Sequence, residues 1–143
     1  MRNVFMLLAL AESRKALPEC LPNPPVGCVI VGVEEIVAKG YTQAPGMHHA
    51  EAEALHQIQG KAFDSLKMYV TLEPCSFHGR TPSCALAIAQ DPRIKEIYVS
   101  LVDPDPRNNG KGLDILRKAG KIVRVGLCAV EVNSFLNQYL FRF

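Results

Sequence analysis

His49, Cys75 and Cys84 are residues of the types that hold a zinc ion, and each stands beside a predicted element boundary. One histidine and two cysteines make a complete three-ligand set for a catalytic zinc, with the fourth position left to water. His49-Ala50-Glu51 opens a predicted helix. Pro74-Cys75 follows a predicted strand, and Cys84 lies nine residues later at the start of the next helix. A helix N-terminus favours the thiolate that a metal needs. Glu51 is two residues after His49, about 200° around a helix, so the two do not ligate one ion by simple geometry. From the first turn, Glu51 can reach a metal-bound water from the side, where a general acid/base must stand. Taken singly, these residues also fit a blander reading: two buried cysteines, a surface histidine and an exposed glutamate. Cys28, inside the apolar run 26–31, reads as a small core residue. Cys20 and Cys128 have no companion at ligand spacing and read as structural.

The elements that must position these residues follow from apolar periodicity and from proline and glycine punctuation. Val4, Leu7, Leu8 and Ala11 have helical spacing, which predicts a helix over 3–17 stopped by Pro18. Pro22-Asn23-Pro24-Pro25 is an extended loop, because proline removes donors and restricts the residue before it. Strands are expected over 26–32 and 36–42, joined as a hairpin across Glu34-Glu35. A helix over 50–59 is closed by Gly60, and a strand over 67–72 leads into the loop 75–82. Then come a helix over 83–90, a strand over 94–102, and the loop Asp103-Pro104-Asp105-Pro106. A helix over 112–119, a strand over 122–127 and a helix over 130–141 complete the chain. Alternating strands and helices predict a largely parallel sheet covered on both faces. Its strand C-termini form the ligand edge, where the loops after Leu72 and Val102 emerge. The last helix, with Phe135, Leu136, Tyr139, Leu140 and Phe141, is expected to cover the sheet; the alternative is an interface in a homo-oligomer.

A chain of 143 residues has room for one domain, 1–143. Its 48% hydrophobic and 21% charged residues are those of a globular protein and exclude a disordered or fibrous one. A net charge of +2 does not predict broad electrostatic binding to nucleic acid. No apolar run nears the ~20 residues of a membrane span. The run 4–11 leads into Glu12-Ser13-Arg14-Lys15, which reads as a helix face and not as a leader's cleavage site. Five cysteines, an odd number, argue against a disulfide framework, and a cytoplasmic location is expected.

Zinc deaminases share His-x-Glu with Pro-Cys-x-x-Cys. This chain matches His-Ala-Glu and Pro-Cys, but its second cysteine comes at +9. Pro22-Asn23-Pro24-Pro25-Val26-Gly27, His49-Ala50-Glu51, Thr71-Leu72-Glu73-Pro74-Cys75-Ser76, Gly79-Arg80-Thr81-Pro82-x-Cys84 and Asp103-Pro104 occur together and in order. The set resembles the pyrimidine deaminase domain of riboflavin biosynthesis, in which the longer cysteine spacing is usual. The resemblance covers essentially the whole chain. It implies a three-layer α/β/α cytidine deaminase-like fold, with a mixed five-stranded sheet and helices on both faces. It implies one zinc ion per chain on His49, Cys75 and Cys84, with Glu51 as proton shuttle. The family reaction is hydrolytic: it removes the 2-amino group of a diamino-ribosylamino-pyrimidinone 5′-phosphate as ammonia.

By the same resemblance Asn23 reads the pyrimidine edge, Arg80 meets the phosphate, and Asp103 stands on the ribose or phosphate side. Lys111, between two glycines, is a further phosphate candidate. The family often carries a C-terminal reductase, and here the chain ends where that fusion would begin, so a separate reductase is expected.

Three positions depart from the family pattern: Glu53, Phe77 followed by His78, and Asp105. In one account His78 turns into the role of the displaced histidine. In another the chain is a paralogue acting on a different amino-pyrimidine, amino-purine or nucleotide. An added carboxylate at Asp105 would repel a phosphate unless Arg80 or Lys111 offsets it. A nucleic-acid deaminase is disfavoured by the low charge, the absence of Trp and 7% aromatics. A non-catalytic zinc-structured partner domain would need a fourth protein ligand, from His48 or His78.

Overall fold

The computed structural model describes residues 2–33, 35–79 and 81–140. The order is α1 (Arg2–Arg14), β1 (Gly27–Gly32), β2 (Glu35–Tyr41), α2 (Ala50–Gln57), β3 (Leu66–Leu72), α3 (Cys84–Gln90), β4 (Ile94–Leu101), α4 (Lys111–Lys118), β5 (Ile122–Val125) and α5 (Ala129–Leu136). A single 3-10 turn, Asn137–Tyr139, follows α5. No helix among the described residues is long and apolar enough to cross a membrane.

The five strands form one sheet in the order β2-β1-β3-β4-β5. Successive residues on the central strands point to opposite faces, and both faces are buried. Cys28, Ile30, Met68, Val70, Ile97 and Val99 pack against α2, α3 and α4 through Ala54, Ile58, Ile88, Leu113 and Leu116. Val29, Val31, Tyr69 and Tyr98 pack against α1 and α5 through Phe5, Met6, Leu10, Val132 and Leu136. This is the expected three-layer arrangement. The last helix covers the sheet: Val132 and Leu136 are fully buried beside α1. The expected Phe141 lies outside the described residues.

The sheet is mixed, as the family resemblance implies, and less parallel than the alternation of strands and helices alone predicts. β3–β4 and β4–β5 are parallel, but β1 pairs antiparallel with both β2 and β3. The hairpin inserts β1 beside β3, which reverses its direction. The consequence for the site is direct. Cys28 pairs with Val70, Gly27 with Tyr41, and Leu72 with Leu101. The start of β1 and the ends of β2, β3 and β4 therefore share one edge. The proline loop, the approach to His49, the cysteine loop and the Asp103 loop all meet there.

Several boundaries shift from expectation, most by one or two residues, and three of the shifts have a local cause. α1 ends at Arg14, and Lys15, Ala16 and Leu17 continue as tighter turns bonded to Glu12, Ser13 and Arg14. The restriction that Pro18 places on Leu17 explains the early end. β5 stops at Val125 because Gly126 takes a left-handed φ of 104°. α5 stops at Leu136 and tightens into the 3-10 turn.

Gly27 opens β1 where the strand crosses α1. A Cβ built there would lie 1.8 Å from the Ala9 carbonyl oxygen and 2.7 Å from the Ser13 backbone nitrogen. Both are backbone atoms of a packed helix, so neither can yield cheaply. Gly27→Ala is expected to cost about 3 kcal/mol or more, at the upper end of the overpacking range. The change in midpoint of a urea unfolding curve measures it; an unchanged midpoint would contradict the close approach.

Candidate active site

His49 is the residue immediately before α2, with extended backbone at φ −73° and ψ 169°. Its Nδ1 faces both sulfurs, 3.9 Å from Cys75 Sγ and 3.6 Å from Cys84 Sγ. The three ligand atoms lie within 4.8 Å of one another. A tetrahedral zinc with Zn–S of about 2.3 Å and Zn–N of about 2.0 Å separates its nitrogen and sulfur ligands by about 3.6 Å. The residues present therefore fit zinc without rearrangement.

The two cysteines are locked to each other by backbone. The Cys84 amide donates to Cys75 Sγ at 3.2 Å. Ser83 caps α3, its hydroxyl accepting from the Leu86 amide at 3.2 Å and donating to the Cys75 carbonyl at 2.8 Å. The Ala85 amide reaches the same carbonyl at 3.0 Å. The +9 spacing is thus closed into a ring by the first turn of α3. Ordinary thiols are mostly protonated at neutral pH, but here the pair is polarised. The Cys84 thiol, and next the His49 ring, hold Cys75 down to about 4 against its burial. The same hydrogen bond and burial push Cys84 up.

Glu51 is buried at the first turn of α2 and lines the cavity with His49 and Cys75. Burial, and then the negative charge of Cys75, push its carboxyl up to about 7. The cavity holds about 440 Å³, a volume suited to a small ligand. His48, the candidate fourth ligand, instead bonds Glu53 through Nδ1 at 3.0 Å. His78 is exposed and outside the cavity lining. Among the described residues the cluster has three protein ligands, and it borders a cavity.

The sequence candidates distribute unevenly. Asn23 and Asp103 line the cavity. Lys111 is exposed at the start of α4 and does not. Arg80 lies outside the described residues. Asp103 accepts from the Asp105 amide at 3.0 Å and the Asn108 side chain at 3.3 Å, and burial raises its carboxyl above the usual range.

Several positioning residues escaped the sequence reading. Glu73, almost fully buried, accepts from the backbone amides of Asp103, Gly110 and Leu113 at 3.1, 3.0 and 3.2 Å. Asn108, fully buried, donates to the Pro74 carbonyl at 3.2 Å and accepts from the Ser76 amide at 3.1 Å. Thr42 receives the Val26 amide at 3.0 Å and donates to the Pro24 carbonyl at 3.2 Å, which braces the proline loop. Glu73 carried a signal: a charge directly after a buried strand must find donors. Asn108, in Asn108-Asn109-Gly110, carried only that of a turn.

Residues 1–101 match the cytidine and deoxycytidylate deaminase zinc-binding region, a stretch that contains His49, Glu51, Cys75 and Cys84. The chain belongs to this zinc-binding deaminase family. It is 45% identical over 131 residues to the diaminohydroxyphosphoribosylamino-pyrimidine deaminase of Buchnera aphidicola, covering 92% of this chain and 88% of that protein. It is 43% identical over 139 residues to the riboflavin biosynthesis protein RibD of Aquifex aeolicus, covering 97% of this chain and 38% of that protein. Acinetobacter baumannii RibD superposes with a TM-score of 0.88 at 39% identity, over 95% of this chain and 37% of that one. The chain thus spans well under half the length of the RibD proteins it matches.

For this deaminase-family centre, the three departures acquire physical roles. Glu53 points to His48 and lies outside the cavity lining. Phe77 lines the cavity, and the guanidinium of Arg107 lies over its ring, 4.9 Å from the centroid. Asp105 is paired with that same Arg107 at 2.6 Å. Among the described residues the cation paired with Asp105 is Arg107 in place of the expected Lys111; Arg80, the other expected cation, lies outside the described residues.

The other ring nitrogen of His49, Nε2, lies 3.1 Å from the Thr81 hydroxyl. With Nδ1 directed at the metal position, Nε2–H donates to Thr81 and fixes the ring's tautomer and rotation. Thr81→Val is expected to weaken zinc binding about tenfold, at the low end for such outer partners. Competition against a chromophoric chelator reads this affinity; an unaltered Kd would remove Thr81 from the metal centre.

Proposed function

We propose that this chain catalyses hydrolytic deamination of an amino-pyrimidine nucleotide, the diamino-ribosylamino-pyrimidinone 5′-phosphate of riboflavin biosynthesis. The observation that carries the reading is a three-ligand cluster with a buried glutamate, both opening on one cavity. The likeness to the Buchnera deaminase over most of both chains supports the substrate.

Bound zinc supplies Lewis acidity, which makes water a nucleophile near neutral pH. Every proton in the reaction falls to Glu51. Its carboxylate takes a proton from the attacking water and delivers it to the ring nitrogen. The water oxygen bonds to the amidine carbon. Glu51 then carries the remaining proton of that new hydroxyl to the exocyclic amine, so that the C–N bond breaks, a carbonyl forms and ammonia leaves. Burial suits this work, because a carboxyl raised toward the working pH both accepts and returns a proton readily. Asn23 offers an amide donor and acceptor to the pyrimidine edge. Asp103, also in the cavity lining, serves the sugar side. The phosphate falls to Arg80, a role the family resemblance implies, with Lys111 and His78 as exposed candidates outside the lining. We place the reaction in the cytoplasm, where two thiol ligands remain reduced.

Glu51→Gln keeps the shape of the side chain and removes its base. It is expected to retain one zinc per chain and to lose about 10²–10⁴-fold in ammonia release. The assay panel holds the diaminopyrimidine phosphate, cytidine, cytosine, adenine and guanine. Turnover of the first by the native chain, lost in the variant, meets the expectation. Native turnover of another member alone would overturn the substrate and keep the reaction; undiminished activity in Glu51→Gln would overturn the shuttle.

A further inference from the structure

We infer that Arg107 is a positioning residue acting through Asp105: it neutralises a carboxylate in the cavity wall, so that the cavity admits the phosphorylated end of its substrate. This rests on the nucleotide reading proposed above.

Four carboxylates line the cavity: Glu51, Glu73, Asp103 and Asp105. Three have other duties. Glu51 stands beside the metal ligands. Glu73 is occupied by three backbone amides. Asp103 holds the Asp105 amide and the Asn108 side chain. Asp105 is different, because its charge is met by a cation. Nε of Arg107 lies 3.1 Å from each carboxylate oxygen, and Nη2 lies 2.6 Å from Oδ2. The Arg107 backbone amide adds a bond to Oδ1 at 3.0 Å.

Among the described residues, Arg107 is the only lysine or arginine lining this cavity. Its side chain is 68% exposed, and its guanidinium meets the Asp105 carboxylate and the ring of Phe77, itself part of the wall. Only a planar, delocalised cation can make both contacts at once. Phe77, Asp105 and Arg107 are therefore one unit. Two of its members are positions where the chain departs from the family pattern, and the third makes both tolerable. The pair is locally neutral. Without Arg107, the Asp105 side chain keeps its negative charge at the wall, and a phosphate entering the cavity meets like charge.

A double-mutant cycle tests this on the zinc-loaded chain, using Arg107→Ala, Asp105→Asn, their combination, and Arg107→Lys. KM and kcat are read for the diaminopyrimidine phosphate and for its dephosphorylated nucleoside. Arg107→Ala is expected to raise KM for the phosphate about tenfold, equivalent to about 1.4 kcal/mol. Its kcat and its KM for the nucleoside should stay within about threefold. Adding Asp105→Asn should return the phosphate KM to within about threefold of native, because the repelling charge is gone. Arg107→Lys should recover part of the loss, since it keeps the charge without the planar fork.

A double variant as impaired as Arg107→Ala would overturn the proposal in favour of direct substrate contact by Arg107. An equal loss with the nucleoside would overturn it in favour of a structural role. An unchanged KM would overturn it outright. The same cycle is read as Kd by calorimetry with cytidine 5′-monophosphate against cytidine. A native chain that binds the monophosphate but does not turn over the diaminopyrimidine phosphate removes the reaction reading and leaves the cycle readable. One that neither binds nor turns over removes both.

Discussion

A carboxylate buried at the end of a strand must be surrounded by donors, or its desolvation outweighs what its neighbours contribute. Glu73 meets this demand with three backbone amides: one from the loop after β4 and two from the start of α4. Those bonds set where the Asp103 loop runs and how closely α4 approaches. The approach is tight enough that a Cβ on Gly112 would lie 2.0 Å from the Pro74 carbonyl oxygen. Cys75 is two residues beyond Glu73, so the same anchor sets the height of a metal ligand above the sheet. Asn108 repeats the link from the other side by bonding Pro74 and Ser76. Loop, helix and ligand are therefore one hydrogen-bonded block.

The second half of the site is built by strand direction. Because β1 runs against both neighbours, its start lies at the edge where β2, β3 and β4 end. A wholly parallel sheet would carry the proline loop to the opposite edge, away from the cysteines. Thr42, the residue after β2, ties that loop back through Pro24 and Val26. The Asn23 wall and the His49 approach are thereby held at fixed separation across the cavity. The rigid frame beneath is the double core, with the α2–α3–α4 layer under the metal ligands and the α1–α5 layer behind.

Electrostatically, the cavity is acidic by composition and carefully compensated in place. Glu73 is satisfied by backbone dipoles, Asp103 by an amide and a side-chain amide, and Asp105 by a guanidinium. The Asp105 carboxyl is held below its usual range by Arg107, whereas burial holds Asp103 above it. Two carboxylates two residues apart thus have opposite perturbations, set by which partner each one found.

The zinc-binding cluster was legible in the chain itself, because the chemistry restricts residue types severely. Two cysteines, an imidazole and a carboxylate beside element boundaries, taken together, have few other uses. The element types were legible too, since apolar runs and proline or glycine stops are local signals. Tertiary structure alone decided the direction of β1, because nothing in a buried apolar strand states which neighbour it will meet. It alone decided that Glu73 and Asn108 are braces, since their partners lie 30 or more residues away in the chain. It decided that Thr81 meets His49, and that Tyr139 reaches the cavity from the end of the chain. It also decided that Arg107, two residues on, is the cation that pairs with Asp105. Sequence names the groups that can react; packing chooses which charges and dipoles stand beside them.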